Sequence, residues 1–207
     1  GAPLFLMLGR MFSLLAGDAS QVAWWINFMS GLCSAFTSLF LFWSITILAR
    51  KLLLQEGENP KKPQLLLMMA SGVVGALAYT FTDTAWFSAV EAEVYAKASF
   101  FTAIVFWAML RWEAKAGTAT ADKWLILIAY LVGLSIGVHL LNLVTIPALA
   151  FIFYLRHYSY TFKGSLITFC ISAFILVFIL WGIIPGLPSV AGIMEVFFVN
   201  SLGLPFG

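Results

Sequence analysis

The stretch from Thr82 to Glu113 reads TDTAWFSAVEAEVYAKASFFTAIVFWAMLRWE and joins a charged segment to an apolar one. Its first half carries four charged side chains: Asp83, Glu91, Glu93 and Lys97. Charges at the edge of a hydrocarbon layer are costly, so each needs a partner, a route to water or a role in a site. The pattern predicts a membrane-spanning helix that follows a charged outer loop, residues 83–93.

The composition of the chain predicts an all-α, polytopic integral membrane protein. Hydrophobic residues make up 62% and charged residues 10% of the 207 residues, and the mean hydropathy is +1.00. Such an apolar surplus is typical of membrane bundles and exceeds what a soluble domain of this length needs. A net charge of +2 and the lack of a basic run with interleaved aromatics exclude nucleic acid as the partner.

The apolar runs predict a helical bundle of about six spans, preceded by an N-terminal interfacial helix within residues 1–18. Because residues 1–207 begin at Gly1 inside an apolar run, we expect a single transmembrane domain that is a fragment of a longer chain. The predicted spans are residues 22–49, 65–81, 94–112, two short helices within 124–155, and 164–184.

Two boundaries of this prediction depend on particular residues. As one helix, residues 124–155 would measure about 48 Å, which exceeds a hydrocarbon core of about 30 Å. We therefore expect a turn near His139 to Asn142. Pro185 and Pro188 are expected to end the last span, which leaves residues 194–207 as an interfacial segment or the start of a further span.

The basic residues predict the orientation of the bundle. In the predicted topology Arg10 and Lys97 fall on one side, and the other nine basic residues fall on the opposite side, which marks it as cytoplasmic. The linker at residues 51–64 is therefore predicted to be cytoplasmic. The nine are Arg50, Lys51, Lys61, Lys62, Arg111, Lys115, Lys123, Arg156 and Lys163.

Small residues recur at helical spacing in three predicted spans and predict faces on which helices pack closely. They are Ser30, Gly31, Ser34, Ala35 and Ser38 in the first span, Ser71, Gly72, Gly75 and Ala76 in the second, and Gly133 and Gly137 in the fourth.

One group of polar residues on the outer side predicts a candidate site. Acids there would abstract a proton and cations would hold a phosphate, which suits transfer from a phosphate-linked donor. A metal site is not expected, because the second histidine, His157, lies on the cytoplasmic side. The candidate residues are Asp83, Glu91, Glu93, Tyr95, Lys97, His139 and Asn142, with Arg10 nearby.

A purely structural interpretation of the same charges stays open beside the functional one. Ser88 and Glu91 fit a capping box, and acids in a first helical turn suit the helix dipole. Glu93 and Lys97 are four residues apart, which favours a helical ion pair, and Lys97 is long enough to reach the membrane surface.

Three segments resemble one known family of membrane glycosyltransferases. Residues 81–113, the GAP at residues 1–3 leading into LFLMLGRMFSLL, and GLSIGVHLLNLVTIPALAFIFY at residues 133–154 are similar to the transmembrane protein 260-type glycosyltransferases. Animal relatives are similar to protein O-mannosyltransferases. The resemblance extends over nearly all 207 residues, and the AVEAEVYA segment at residues 89–96 is specific for it.

The resemblance implies a GT-C fold with its active site on the periplasmic or lumenal face, in a bacterial inner membrane. It implies a polyprenyl-phosphate-linked sugar as donor and a protein hydroxyl or similar group as acceptor; it leaves a metal requirement open. In the family the catalytic acid lies in a first outer loop that precedes Gly1, so no catalytic residue is assigned. The alternatives are a transporter or flippase-like protein and a structural membrane subunit.

The resemblance also assigns a few residues to the donor site. Glu91, Glu93, Tyr95 and Lys97 match the second outer loop of the family, and His139 lies where more distant GT-C proteins often place a basic residue. The resulting hypothesis is that Lys97 and His139 hold the donor phosphate and that Glu93 orients Lys97.

Overall fold

The structure is a computed structural model that describes residues 2–55 and 57–205. Within these residues the regular structure is helical throughout. Three shorter turns complete it: 3₁₀ turns at Ala19–Gln21 and Leu140–Thr145, and a π turn at Ile179–Ile183. The α-helices are α1 Pro3–Ser13, α2 Val22–Leu53, α3 Lys62–Thr80, α4 Asp83–Val90, α5 Tyr95–Lys115, α6 Ala121–Ile136, α7 Ile146–His157, α8 Phe162–Phe178 and α9 Ile184–Leu202.

The chain divides into two compact units, with the boundary between Thr145 and Ile146. The first unit contains α1 to α6 and the 3₁₀ turn Leu140–Thr145; the second contains α7 to α9.

The first unit is built around α2, which packs against α1, α3, α4 and α5. α2 and α5 run parallel, since Ser30 in the third turn of α2 contacts Lys97 in the first turn of α5, and Lys51 pairs with Glu113 in the last turns of the two helices. α6 runs antiparallel to α5, because Trp107 packs on Trp124 while Tyr95 packs on His139.

This topology gives the first unit two chemically different ends. The first turns of α2 and α5, the last turns of α3 and α6, and the short helix α4 meet at one end, called here the α4 end. The opposite end, called the basic end, carries Arg50, Lys51, Lys61, Lys62, Arg111, Lys115 and Lys123. Seven of the nine residues that were predicted to share a side therefore do so within this unit.

The predicted small-residue faces are confirmed where α2 meets its neighbours. A Cβ atom at Gly72 of α3 would lie 2.6 Å from Cγ2 of Thr46. The hydroxyls of Ser38 and Thr80 hydrogen bond at 2.7 Å, which ties α2 to the end of α3. Gly133, in contrast, has no heavy atom within 4 Å of such a Cβ atom, so its side of α6 is unpacked in the described structure.

Among the described residues, four helical segments are long and apolar enough to cross a membrane, or five if the bent pair α4 and α5, at 116°, forms one span. The predicted count of six is not confirmed. α6 has 16 residues and would measure about 24 Å, which is short of a full crossing. The four segments are Ala19–Leu53, Lys62–Thr80, Leu140–His157 and Phe162–Leu202.

The structure confirms one predicted boundary and corrects two others. The split within residues 124–155 is confirmed, because α6 ends at Ile136 and α7 begins at Ile146. α1 is shorter than residues 1–18, and the non-helical connection between α2 and α3 is shorter than residues 51–64 because both helices extend into it.

Asp18 caps the 3₁₀ turn that follows α1, and the hydroxyl and amide of Ser20 lower the pKa of the Asp18 carboxyl group.

The outer loop predicted at residues 83–93 is mostly the helix α4. Thr82 begins it, since the Thr82 hydroxyl accepts a hydrogen bond from the Ala85 amide at 3.3 Å and Asp83 lies in the first turn. The predicted capping box at Ser88 is therefore wrong, because Ser88 lies inside α4 and Glu91 is the C-cap of α4.

In the second unit the prediction that Pro185 and Pro188 end a span is wrong. One helical segment runs from Phe162 to Leu202 through the π turn Ile179–Ile183. At this turn the Ile184 amide donates to the Ile179 carbonyl, a wider spacing that leaves room for a following proline. Pro185 then occupies the first turn of α9, where its missing amide costs little. The end of the predicted segment 194–207 lies outside the described residues.

Candidate functional site

Lys97 is a buried cation at the α4 end of the first unit. Its side chain is 1% exposed, although it lies in the first turn of α5. The Lys97 Nζ donates to the Ser30 hydroxyl at 2.6 Å and to the Glu93 main-chain carbonyl at 2.9 Å. Both acceptors are uncharged, so the positive charge of Lys97 has no neutralising ion pair in the described structure.

The helix α1 covers this amine. The ring of Phe5 lies over the Lys97 Nζ, with 4.7 Å between the nitrogen and the ring centroid. The amides of Leu4 and Phe5 both donate to the Gly137 carbonyl, at 2.8 and 3.4 Å. A Cβ atom at Gly137 would lie 3.0 Å from the Leu4 Cβ, so the absence of a side chain allows this close approach. The turn after α6 therefore holds the cover over Lys97.

The His139 turn also contacts the first residue of α5. The rings of Tyr95 and His139 have centroids 5.4 Å apart. The His139 Nδ1 accepts a hydrogen bond from the Leu141 amide at 3.0 Å, which assigns the proton of the neutral ring to Nε2. Tyr95, two residues after Glu93, therefore lies beside the His139 turn.

Asn142 lies next to this turn but faces the protein interior. It is 0% exposed, and its side-chain amide donates to the Ser135 hydroxyl at 2.9 Å. Its main-chain carbonyl accepts from the Thr145 hydroxyl at 2.6 Å. These bonds join the 3₁₀ turn Leu140–Thr145 to α6, so Asn142 supports the shape of the turn that carries His139.

The remaining candidates lie on the surface. Glu91 and Glu93 are exposed, and Arg10 hydrogen bonds to Ser13 within its own helix. Arg10 lies five residues beyond Phe5, about 7.5 Å along α1. The structure thus pairs Tyr95 with His139 and buries Lys97 in the same first turn of α5. Arg10 and Asp83 lie in separate surroundings.

Two structural predictions for Lys97 are corrected. Its side chain does not extend to the membrane surface, because Ser30 and Phe5 hold it inside the bundle. The predicted helical ion pair with Glu93 is wrong as well. Glu93 precedes α5, and its main-chain carbonyl accepts from the Lys97 amine, while its carboxylate forms no ion pair with Lys97 in the described structure.

Sequence reasoning missed Ser30, Phe5 and Gly137 as parts of this site. Ser30 was recognised as a small residue, and its spacing carried no sign that it accepts a hydrogen bond from a cation on another helix. One signal was available: a lysine in the first turn of an apolar helix needs polar acceptors nearby. Their identity depends on tertiary packing.

A second feature of the α4 end is a small cavity between α2, α3 and α4 of about 190 Å³. Its walls are the small-residue face of α2 together with Tyr79, Thr80 and Trp86. No group of three or more His, Cys, Asp or Glu side chains in residues 2–55 and 57–205 is placed to hold a metal ion.

The contact between Lys97 and Ser30 gives a testable prediction. Ser30→Ala removes an acceptor from a buried ammonium group, and we expect it to cost about 1.5–3 kcal/mol of unfolding free energy. In a Lys97→Met background the same change should cost less than about 0.5 kcal/mol. Denaturant unfolding of the purified protein in detergent measures both values. Ser34→Ala, one turn further along α2, is the matched control, and equal costs in both backgrounds would contradict the proposed contact.

The comparison with known protein families gives one match. The family described as "Protein O-mannosyl-transferase TMEM260 N-terminal domain" matches residues 1–162. The matched range contains every candidate residue of the site, but it is shorter than the extent over nearly 207 residues that the sequence analysis expected. No curated protein matches the chain, and no solved structure matches it.

Proposed function

The chain belongs to the family of the protein O-mannosyl-transferase TMEM260 N-terminal domain, and on this premise we propose that it forms part of a GT-C membrane glycosyltransferase. The enzyme transfers a sugar from a polyprenyl-phosphate donor to a protein hydroxyl or similar acceptor. The transfer takes place at the α4 end, on the periplasmic or lumenal face of the membrane.

The observation that supports this proposal best is the burial of Lys97, whose amine forms no ion pair among the described residues. Burial of a cation without an ion pair lowers the stability of the fold, so such a cation is expected to serve the function of the protein. Glycosyl transfer from a phosphate donor builds negative charge on the departing phosphate. A fixed cation in a water-poor setting stabilises that charge strongly.

The contacts of the site suggest a role for each residue in binding the donor phosphate. Ser30 and Glu93 use two of the three N–H groups of the Lys97 amine, which leaves one for a phosphate oxygen. Because Phe5 covers the amine, the donor reaches it when the first turn of α1 moves aside. His139, whose Nε2 carries the proton, donates a second hydrogen bond to the phosphate. The acidic residue whose carboxylate would activate the acceptor is assigned to the first outer loop of the family.

The proposal predicts different effects for His139 and Glu93. In the full-length protein, His139→Ala should lower the transfer of mannose from a polyprenyl-phosphate donor by about tenfold or more, because a phosphate contact is lost. Glu93→Gln should retain a rate within about twofold of wild type, since the main-chain carbonyl that orients Lys97 is kept. Transfer of radiolabelled mannose to an acceptor peptide measures both. A wild-type rate for His139→Ala would remove His139 from the site.

A further inference from the structure

We propose that the basic end of the first unit holds an anionic phospholipid headgroup beside Trp124, at a site formed by Arg111 and Lys115. This site is separate from the candidate donor site, which lies at the α4 end of the same unit. A test of the lipid site therefore does not depend on whether the glycosyltransferase assignment is correct.

Two cations converge on one indole ring. The guanidinium carbon of Arg111 lies 5.9 Å from the ring centroid of Trp124, and the Lys115 Nζ lies 5.7 Å from it. Trp107 packs edge-on against the same ring, with 5.6 Å between centroids, and fixes its position. A guanidinium and an ammonium group, four residues apart on α5, thereby both lie within 6 Å of the centre of one ring, although their charges repel.

Within residues 2–55 and 57–205, neither of these two cations forms an ion pair. The Glu113 carboxylate, on the same turn of α5, is paired with Lys51. The Nε of Arg111 is buried and has no hydrogen-bond partner in the described structure. Asp122 is exposed in the first turn of α6, and Glu58 is exposed in the connection between α2 and α3. An anion that supplies several oxygens to Arg111 and Lys115 would offset the repulsion and provide acceptors.

The surroundings of Trp124 favour a phospholipid over a free anion. Tryptophan and basic side chains at the ends of membrane helices occupy the depth of the headgroups. Basic pockets between such helices bind anionic headgroups. Leu127 lies one turn beyond Trp124 on the same face of α6, and this apolar side chain is 38% exposed. A headgroup phosphate beside Arg111 and Lys115 would thus place its acyl chains along this face of α6.

The test uses the full-length protein in a neutral detergent and native mass spectrometry. Phosphatidylglycerol and phosphatidylcholine with the same acyl chains are titrated separately. We expect wild type to retain phosphatidylglycerol roughly tenfold more tightly. Arg111→Gln with Lys115→Gln should reduce this preference to about twofold or less. The matched control is Lys61→Gln with Lys62→Gln, which removes the same charge from exposed positions of the same end and should keep the preference.

Three results would overturn the proposal. They are equal retention of the two lipids by wild type, an equal loss in both double variants, and displacement of phosphatidylglycerol by inorganic phosphate at the same concentration. The second result would indicate diffuse attraction to the basic end, and the third a site for free phosphate. If the first double variant aggregates, Lys115→Gln alone replaces it, with an expected loss of roughly threefold in preference.

Discussion

Lys97→Met in the full-length protein is expected to lower sugar transfer by at least about 100-fold and to leave the protein as stable as wild type or more stable. Methionine has a similar length and flexibility, so it fills the space between Ser30 and Phe5 without a charge. Its thioether needs no acceptor. The two effects have opposite directions, which distinguishes a functional lysine from a structural one.

The expected gain in stability follows from the setting of the amine. Two neutral oxygens and one aromatic face contact the Lys97 ammonium group, and these contacts compensate incompletely for the loss of water around a charge. Apolar replacement of buried charged groups is often neutral or stabilising, by about 1–4 kcal/mol. A lysine that served the fold alone would instead lower the unfolding temperature when replaced.

Two measurements on the same purified protein decide between these cases. Transfer of mannose from the polyprenyl-phosphate donor gives the activity, and thermal unfolding in detergent gives the stability. Lys62→Met, at the exposed first residue of α3, is the control and should leave both unchanged. A Lys97→Met variant that keeps its activity would end the proposed role of Lys97, whatever its unfolding temperature.

Some of this site was predictable from the sequence because local rules and topology decide it. An apolar run between charged segments fixes the direction of each helix, and the turn expected near His139 follows from the length of residues 124–155. Together they place Tyr95 and His139 at the same end of the unit, where the structure finds their rings 5.4 Å apart. Helix periodicity likewise identified Gly72 and Gly75 as packing positions.

Other features depend on packing that sequence patterns do not encode. Thr82 and Ser88 are both good N-cap residues, and the choice of Thr82 follows from where α3 ends, at Thr80. The partner of Lys97 depends on the rotation of α2 about its axis, which brings Ser30 towards α5. The helix that continues through Pro185 depends on a π turn, which a proline-based rule does not anticipate.

Gly72→Leu is expected to lower the unfolding free energy by about 3 kcal/mol, the largest loss of stability among these variants. A Cβ atom alone would lie 2.6 Å from Cγ2 of Thr46 and 2.7 Å from Cδ2 of Phe42, before the rest of the side chain is added. α2 and α3 would have to separate. That movement also strains the Ser38–Thr80 hydrogen bond and the start of α4.

Gly133→Leu is the matched control, because Gly133 also lies within a helix but has no heavy atom within 4 Å of its Cβ position. We expect it to change the unfolding free energy by less than about 0.5 kcal/mol. Phe42→Ala should restore part of the stability of Gly72→Leu, since it removes one of the colliding rings. Thermal unfolding of wild type, Gly72→Leu, Phe42→Ala and the double variant in the same detergent provides the cycle, and Gly133→Leu is measured beside them. If Gly72→Leu unfolds at the same temperature as Gly133→Leu, α2 and α3 do not pack through Gly72, and the scaffold that positions α4 beside the candidate site must be built differently.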